Sequence, residues 1–150
     1  MPRVKDTRTR VRRQKPYQGT VLLADAVNSR LISLSQSAGK AGFSVLLADS
    51  SAHCISLCAA YEPDVVLIDQ DFLAVDEWSV PEQLRLVSPG TAIVMSVEDC
   101  NQWAPLPPFV NAVAKRNDRA KIISILRGML LAGTLSLKPK PAFPAGVVVS

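Results

Sequence analysis

The stretch PDVVLIDQDF, residues 63–72, contains an apolar run that leads directly into two acids, Asp69 and Asp71. Runs of Val, Leu and Ile are typical of a strand that is buried on both faces of a parallel sheet. A carboxylate at the end of such a strand costs free energy unless hydrogen bonds, a metal ion or a reaction compensates for it. The stretch therefore predicts a buried strand over 64–69 and marks Asp69 as a candidate functional residue.

Similar apolar runs recur along the chain and alternate with segments of helical periodicity. Strands that are apolar throughout and alternate with helices predict an α/β fold, a (βα)5 doubly wound parallel five-stranded sheet. Asn28 is a candidate N-cap of the first helix, and Pro81 sets either the first turn of the third helix or a kink in it. The predicted strands are 20–25, 43–48, 64–69, 90–96 and 109–114, and the predicted helices are 28–42, 50–62, 75–88 and 117–133.

The segment between the fourth and fifth strands departs from this alternation. It contains APLPP, residues 104–108, and proline cannot continue a helix. We therefore expect residues 97–108 to form mostly an irregular loop, with at most a short turn near 98–102. The fourth helix of the (βα)5 pattern is degenerate in this prediction.

Polar residues follow four of the predicted strands at the point where each strand ends. In doubly wound sheets, sites form at the carboxyl ends of the strands, near the switch in strand order. The residues at this edge are Asp25, Asp69, Ser96 and Lys115. Their convergence on one edge predicts a functional site, whereas Asp69 taken alone is better explained as a strand-end acid that backbone N–H groups satisfy.

The composition excludes several classes of protein. With 150 residues and 48% apolar residues, the chain is long enough for one domain with a core and is not mainly disordered. No apolar run is long enough to cross a bilayer, and no apolar stretch follows the basic N-terminus as in a secretory signal. Three cysteines, an odd number, argue against a disulfide framework and favour a cytoplasmic location.

The net charge of +4 is distributed unevenly. Residues 1–17 contain seven Lys and Arg against the single acid Asp6, so this segment carries +6 and the remainder carries −2. The sequence predicts a basic flexible arm over 1–18, a domain over 19–133 and a proline-rich tail over 134–150. The basic residues between positions 3 and 15 either form a solvated extension or contact nucleic acid or anionic lipid.

Cys54 and Cys58 share one face of the second predicted helix, at a spacing that suits a metal ion. Cys100 is the only other thiol and His53 the only histidine, so a closed zinc site is hard to assemble. Free cysteines usually pack as small apolar side chains. We therefore expect both thiols to belong to the core and His53 to lie on a solvated helix face.

The order of these pieces resembles the response-regulator receiver domain, the CheY-like family of two-component signalling, over roughly residues 19–132. The resemblance rests on five stretches, and one of these, AGFSVLLADS (41–50), is similar to the end of the family's first helix and its second strand. VLLAD (21–25) is similar to the strand that ends in metal-binding acids, and EPDVVLID (62–69) to the strand of the phosphoacceptor aspartate. AIVMS (92–96) is similar to the strand of the switch Ser/Thr, and AVAK (112–115) to the strand of the invariant lysine.

The resemblance implies a role for each candidate residue. Asp69 would accept a phosphoryl group, and Asp25, Asp69 and the backbone carbonyl of Asp71 would bind Mg²⁺. Ser96 would donate a hydrogen bond to a phosphoryl oxygen, and Lys115 would pair with the acceptor carboxylate or its phosphate. In phosphoryl transfer to an aspartate, Mg²⁺ neutralises the charge that accumulates on the transferring group.

The sequence departs from the family pattern at the site. Ala26 replaces the second of the two adjacent acids that end the first strand, which weakens the expected Mg²⁺ site. The usual Met-Pro-Gly-x-Asp-Gly loop after the acceptor is absent, Arg116 replaces the proline after the lysine, and Ala112 replaces the aromatic switch residue. We therefore expect a partner surface to involve the 97–108 loop with Trp103, or another face.

Three functions are compatible with these observations. The first is a stand-alone, divergent receiver that is not an enzyme: a histidine kinase or phosphotransfer protein phosphorylates Asp69, and a downstream protein target reads the change. The second is a pseudo-receiver, in which the same fold serves as an interaction module without phosphorylation. The third is a nucleic-acid-associated protein that uses the basic arm. Ala26 favours the second function over the first, whereas Asp69, Ser96 and Lys115 favour the first.

Overall fold

The computed structural model of the chain describes residues 19–72 and 79–136, so the predicted basic arm and nearly all of the predicted tail lie outside the described residues. Strands and helices alternate, as the sequence predicts. In chain order the elements are β1 Thr20–Ala24, α1 Asn28–Lys40, β2 Ser44–Ala48, α2 Ser51–Tyr61, β3 Val65–Asp69, α3 Ser79–Val87, β4 Ala92–Val97, a 3₁₀ helix Cys100–Trp103, β5 Ala112–Lys115 and α4 Arg119–Ser136.

The five strands form one parallel sheet in the order β2-β1-β3-β4-β5. The predicted doubly wound five-stranded sheet is therefore confirmed. Strand order reverses beside β1, because the chain moves outward from β1 to β2 and then returns to pair β3 with the other edge of β1. This switch brings the carboxyl ends of β1 and β3 side by side, where such sheets form their sites.

Helices cover both faces of the sheet, and each face has its own apolar core. Side chains of successive strand residues point to opposite faces. In β3, Val65 and Leu67 pack with α1 and α4, whereas Val66 and Ile68 pack with α2 and α3. All four of these side chains are buried. This two-sided burial explains why the strands read as continuous apolar runs rather than as an alternating pattern.

The helix boundaries correct one detail of the sequence prediction. Asn28 is the first residue of α1 and not its N-cap; Val27 occupies the cap position and supplies no side-chain hydrogen bond. The predicted helix over 50–62 is confirmed as α2, and Ser50 caps it by accepting a hydrogen bond from the backbone N–H of His53 at 3.1 Å. Pro81 falls in the first turn of α3, where its missing N–H needs no intrahelical partner.

Helix α4 is the longest described element, and it packs its apolar face on the sheet through the buried side chains of Ile122 and Leu126. Gly19, which precedes β1, has a positive φ of 107° that other residues rarely adopt, and an added Cβ would meet the side chain of Leu130 in this helix. Among the described residues, no helix has the combination of length and apolar character that crossing a membrane requires.

The connection from β4 to β5 contains only a short 3₁₀ helix, which confirms the predicted degenerate fourth helix. Asp99 caps it by accepting a hydrogen bond from the N–H of Asn101 at 3.0 Å. The connection is tied back to the sheet by Asn111, whose side-chain oxygen accepts from Ile93 N–H at 2.8 Å and from Arg85 at 3.3 Å. Side-chain hydrogen bonds from Asp99 and Asn111 thus stabilise a connection that has few of the backbone hydrogen bonds of a helix.

Both cysteines of α2 belong to the core, as predicted. Cys54 and Cys58 are fully buried in the cluster beneath α2 and α3. Their mutual hydrogen bond and burial raise the pKa of the Cys54 thiol, so this thiol stays protonated. Within residues 19–72 and 79–136, no group of three or more His, Cys, Asp or Glu side chains could hold a metal ion.

Candidate functional site

Three of the predicted site residues lie at the carboxyl edge of the sheet, on the face that α1 and α4 cover. Strand parity places them there, because Leu23, Leu67 and Val94 pack on this face and the residues two positions further along the chain point the same way. These residues are Asp25, Asp69 and Ser96, whose exposed fractions are only 3%, 1% and 3%. The structure therefore forms a buried acidic pocket from residues of three adjacent strands.

The carboxylate of Asp69 lies at the centre of this pocket. Its Oδ1 accepts a hydrogen bond from Ser96 Oγ at 3.0 Å, and β3 and β4 align these two residues as direct register partners. Its Oδ2 accepts from the backbone N–H of Asp71 at 3.0 Å, which is available because the chain turns into a helical conformation immediately after β3.

Arg116 provides the main counter-charge for Asp69. Its Nε donates to Asp69 Oδ1 and its Nη2 to Asp69 Oδ2, both at 2.9 Å. This bidentate geometry is the strongest form of a guanidinium–carboxylate contact. The same Nη2 also donates to the side chain of Asp71 at 3.1 Å. The backbone N–H of Arg116 donates to Val97 at 2.7 Å, which fixes the residue beside the end of β4.

Arg30, in the first turn of α1, connects the two buried acids. Its Nε donates to Asp25 Oδ2 at 2.8 Å, and its Nη2 donates to Asp25 Oδ1 at 3.0 Å and to Asp69 Oδ2 at 3.3 Å. Asp25 also accepts from the backbone N–H of Val27 at 2.8 Å. We refer to Asp25, Asp69, Ser96, Arg30 and Arg116 together as the Asp69 pocket.

The electrostatics of the pocket favour permanent ion pairing. Hydrogen bonding to Asp69 raises the pKa of Arg116, and hydrogen bonding to Asp25 raises the pKa of Arg30. Both guanidinium groups therefore stay charged at every pH at which a protein of this kind is handled. Two buried carboxylates thus face two partly buried guanidinium groups, an arrangement whose disruption is costly because it leaves a buried charge unpaired.

Solved structures from response regulators share this fold. A response regulator receiver domain protein from Clostridium thermocellum superposes with a TM-score of 0.68 at 14% identity, covering 77% of this chain and 97% of that one. A CheY-like receiver domain protein from Methanospirillum hungatei JF-1 gives a TM-score of 0.69 at 15% identity, covering 78% and 97%. The chain has the receiver-domain fold.

At these identities the likeness shows the fold alone. An adenylate cyclase from Rhodopirellula baltica matches as well, with a TM-score of 0.68, 18% identity and coverage of 80% of this chain and 92% of that one. No protein-family model matches the sequence, and no curated protein matches it. The function of this receiver fold must therefore be argued from the residues of its own site.

The structure does not bring Lys115 to Asp69. Lys115 is exposed, and its side chain makes no hydrogen bond or ion pair with the residues that the structure describes. Strand parity gives the reason. Ala114 is buried with α1 and α4, so Lys115 points to the opposite face and the next residue, Arg116, points into the pocket. Arg116 makes the contact with the carboxylate that the sequence assigned to Lys115.

Receiver domains typically bind Mg²⁺, but the described residues of this pocket do not fit that ion. A divalent cation needs free carboxylate oxygens. Here Arg30 Nη2 already bridges Asp25 and Asp69, while Arg116 covers both oxygens of Asp69. Ala26 adds no further carboxylate. The cations that balance the two acids are thus two side chains of the protein itself, Arg30 and Arg116.

The sequence predicts no role for Arg30, and Arg116 stands out in it only as a departure from the family pattern. Signals for both were present. Arg30 falls in the first turn of the helix that follows β1, and that turn always lies at the carboxyl edge of the sheet. Arg116 follows Lys115, and adjacent strand residues face opposite sides. Extending the alternation of Ala112 and Ala114 by one step points Arg116, not Lys115, toward the site.

Proposed function

We propose that this chain is a pseudo-receiver, a receiver-fold interaction module that acts without accepting a phosphoryl group on Asp69. Its two acids, which the resemblance assigns to phosphoryl chemistry, instead hold α1 and the β5–α4 connection to the sheet through Arg30 and Arg116. In this proposal the pocket has one charge state, and the module presents the same surface at all times.

The observation that carries the proposal is the saturation of Asp69. Five donor contacts reach its carboxylate, from Ser96 Oγ, the N–H of Asp71, Nε and Nη2 of Arg116 and Nη2 of Arg30. An ionised carboxylate has about four lone-pair sites. Attack on phosphorus needs an oxygen with a lone pair directed at the incoming group, and every such direction is already occupied by a hydrogen bond.

The charge balance supports the same conclusion. Phosphoryl transfer depends on a cation that contacts both the acceptor and the oxygens of the transferring group. Arg30 and Arg116 direct their Nε and Nη2 donors at Asp25 and Asp69, so the positive charge that a metal ion would bring to the acceptor is already supplied by the protein. In this proposal the ion pairs of Arg30 and Arg116 with Asp25 and Asp69 stabilise the carboxyl edge of the sheet and take no part in a reaction.

The competing function, a phosphoacceptor served by a histidine kinase or phosphotransfer protein, also has one observation in its favour. Ser96 Oγ lies 3.0 Å from Asp69 Oδ1, so a hydroxyl is in position to contact a group carried by that oxygen. Transfer would first require Arg116 to release Oδ1. Because a bidentate, nearly buried pair is costly to separate, we favour the pseudo-receiver.

A partner protein fits the β4–β5 connection best. Leu106 and Phe109 of this segment are both 43% exposed, and Leu86 at the end of α3 is 76% exposed. Arg85 links these elements, because its Nη2 donates to the carbonyl of Phe109 at 3.2 Å. An exposed apolar segment that is held in place loses little entropy on binding. The role of Trp103 in this surface stays a prediction.

Nucleic-acid association remains the third candidate. It rests on the basic residues between positions 3 and 15, which lie outside the described residues. The described domain adds no separate support for it.

The proposal is tested by incubating the chain with a small phosphodonor and Mg²⁺ and then measuring its intact mass. We expect no gain of mass, because no oxygen of Asp69 is free to attack. Asp69→Asn serves as the matched control, since it removes the acceptor and keeps the size of the side chain. A gain of one phosphoryl group in the wild-type chain that Asp69→Asn abolishes would overturn the proposal and favour the phosphorylated receiver.

A further inference from the structure

The sheet has two edge strands, and they differ in how they are protected from pairing with another chain. β5 ends in Lys115, which is exposed, and a charged side chain on an edge strand disfavours such pairing. β2 contains no charged residue and no proline, and three of its five residues are Val or Leu. Among the described residues, β2 pairs with β1 alone. The outer edge of β2 is therefore open to a further strand.

The backbone groups on the outer edge of β2 follow from its pairing with β1. The N–H of Ser44 donates to the carbonyl of Gly19 at 2.9 Å, and the carbonyl of Ala48 accepts from the chain just after β1 at 3.2 Å. Both ends of the strand thus direct their backbone groups toward β1. Because this direction alternates along a strand, Val45 and Leu47 direct their N–H and C=O groups to the outer edge.

The side chains of β2 also show that the flanking helices leave this edge accessible. Leu47 is 40% exposed, and Val45 and Leu46 are half-buried, whereas every residue of β3 is buried. Val45 packs with the core beneath α1 and α4, and Leu46 packs with the core beneath α2 and α3. Leu47 therefore points to the same face as Val45. A strand added here would cover apolar surface as well as backbone groups.

The two ends of β2 carry opposite charge. At the amino end, Lys40 is exposed, and the guanidinium group of Arg127 lies 5.8 Å from the centre of the Phe43 ring. At the carboxyl end, the side chain of Asp49 is 80% exposed and lies 3.9 Å from His53 Nδ1. An antiparallel copy of the same strand brings the acidic end of one chain beside the basic end of the other. The edge is thus complementary in charge to itself.

We propose that β2 pairs with β2 of a second copy of this chain, antiparallel and about a two-fold axis at Leu46, so that the two sheets become one. Val45 of each copy then lies opposite Leu47 of the other. Both residues direct their backbone groups outward, so each such pair exchanges both of its hydrogen bonds. The paired side chains lie on the same face and form an apolar cross-strand contact. An interface of this symmetry closes at two copies.

Sedimentation equilibrium of the full chain over a range of concentrations tests the proposal. We expect a monomer–dimer equilibrium that Leu47→Lys weakens by at least about tenfold, because a charge then faces an apolar side chain in the middle of the joined sheet. Leu86→Lys is the matched control. It makes the same change at a leucine that is 76% exposed at the end of α3, outside β2, and should alter the dissociation constant less than about twofold.

A charge exchange tests the antiparallel orientation with side chains that are exposed in a single copy. Asp49→Lys should weaken the dimer by about fivefold, because it places like charges together at both ends of the paired strands. Adding Lys40→Glu to this variant should restore most of the lost affinity, since opposite charges then face each other with their positions exchanged. A double variant that dimerises no better than Asp49→Lys alone would contradict the antiparallel pairing.

Amide hydrogen exchange identifies what covers the edge. We expect the amides of Val45 and Leu47 to exchange slowly at concentrations at which the chain is dimeric and rapidly at concentrations at which it is monomeric. Protection of both amides at every concentration would overturn the proposal and show that another segment of the same chain covers β2. A chain that stays monomeric at about 1 mM, or a dimer that Leu47→Lys leaves intact, would also overturn it. These results are independent of the proposed function, because the pairing involves no residue of the Asp69 pocket.

Discussion

At the scale of single residues, the protein uses guanidinium groups to balance two buried carboxylates. Asp69 is 1% exposed and Asp25 is 3% exposed, yet each has an arginine within hydrogen-bond distance. Arginine suits this position because its planar fork satisfies both oxygens of a carboxylate at once. A lysine in the place of Arg116 could not cover Oδ1 and Oδ2 together.

A double-mutant cycle on Arg116 and Asp69 measures this pairing. We expect Arg116→Gln to lower the free energy of unfolding by about 3 kcal/mol, because it leaves a buried carboxylate short of its main partner. Asp69→Asn should also destabilise the protein, since it leaves two guanidinium groups close together. The double variant should recover at least about 1 kcal/mol relative to the sum of the two losses.

Urea denaturation of the four proteins gives these values. Arg127→Gln is the comparison, because Arg127 is an exposed arginine of α4 that donates to the carbonyl of Ala41 and contacts no acid of the pocket. Strict additivity of the two single changes would show that Arg116 and Asp69 do not interact in solution.

At the scale of elements, the sequence was sufficient to predict the alternation of strands and helices. It was not sufficient to predict the sheet face to which an individual side chain points. The apolar run 64–69 identifies β3 because both faces of that strand are buried. Lys115 and Arg116 could not be separated in the same way. Their roles depend on which face each one points to, and a shift of one residue exchanges the two. The resemblance assigns the family lysine to Lys115, whereas the side chain that reaches Asp69 in the structure is that of Arg116.

The β4–β5 connection illustrates a case in which composition was sufficient. Prolines at 105, 107 and 108 exclude a regular helix, and the structure has only the 3₁₀ helix Cys100–Trp103 in this segment. The contribution of Asn111, which accepts from Ile93 N–H at 2.8 Å, could not be predicted, because it depends on tertiary contact between the connection and β4.

Amide hydrogen exchange tests this description of the connection. We expect the amides of 98–109 to exchange much faster than those of 122–130 in α4, because few of the former donate to a backbone carbonyl. The non-proline amides at 104, 106 and 109 are the most informative. Protection at these three positions comparable to that of α4 would contradict the irregular conformation described for the segment.

At the scale of the whole molecule, charge is separated between the first residues of the chain and the rest. Residues 1–17 carry +6 and the remainder carries −2, which together give the net +4. Whether this charge has a role of its own is a question for experiment.

Deleting residues 1–17 tests whether this segment contributes to stability or to the binding of nucleic acid. We expect the melting temperature to change little, because the segment lacks the apolar periodicity that burial requires. Binding to DNA, if the full chain shows it, should be lost, and before deletion it should weaken steeply with salt. Replacing the seven basic residues by Gln at constant length is the matched control for charge. A large drop in melting temperature on deletion would show that the segment packs on the domain.

The central claim is that guanidinium groups of the protein have taken the position of a metal ion in a receiver fold. Calorimetric titration of the wild-type chain with Mg²⁺ tests it most directly, with Asp69→Asn as the comparison. Arg30 and Arg116 already occupy the oxygens that the ion needs, so we predict no saturable heat at millimolar Mg²⁺ and identical traces for the two proteins. Saturable binding to the wild-type chain that Asp69→Asn removes would contradict the claim.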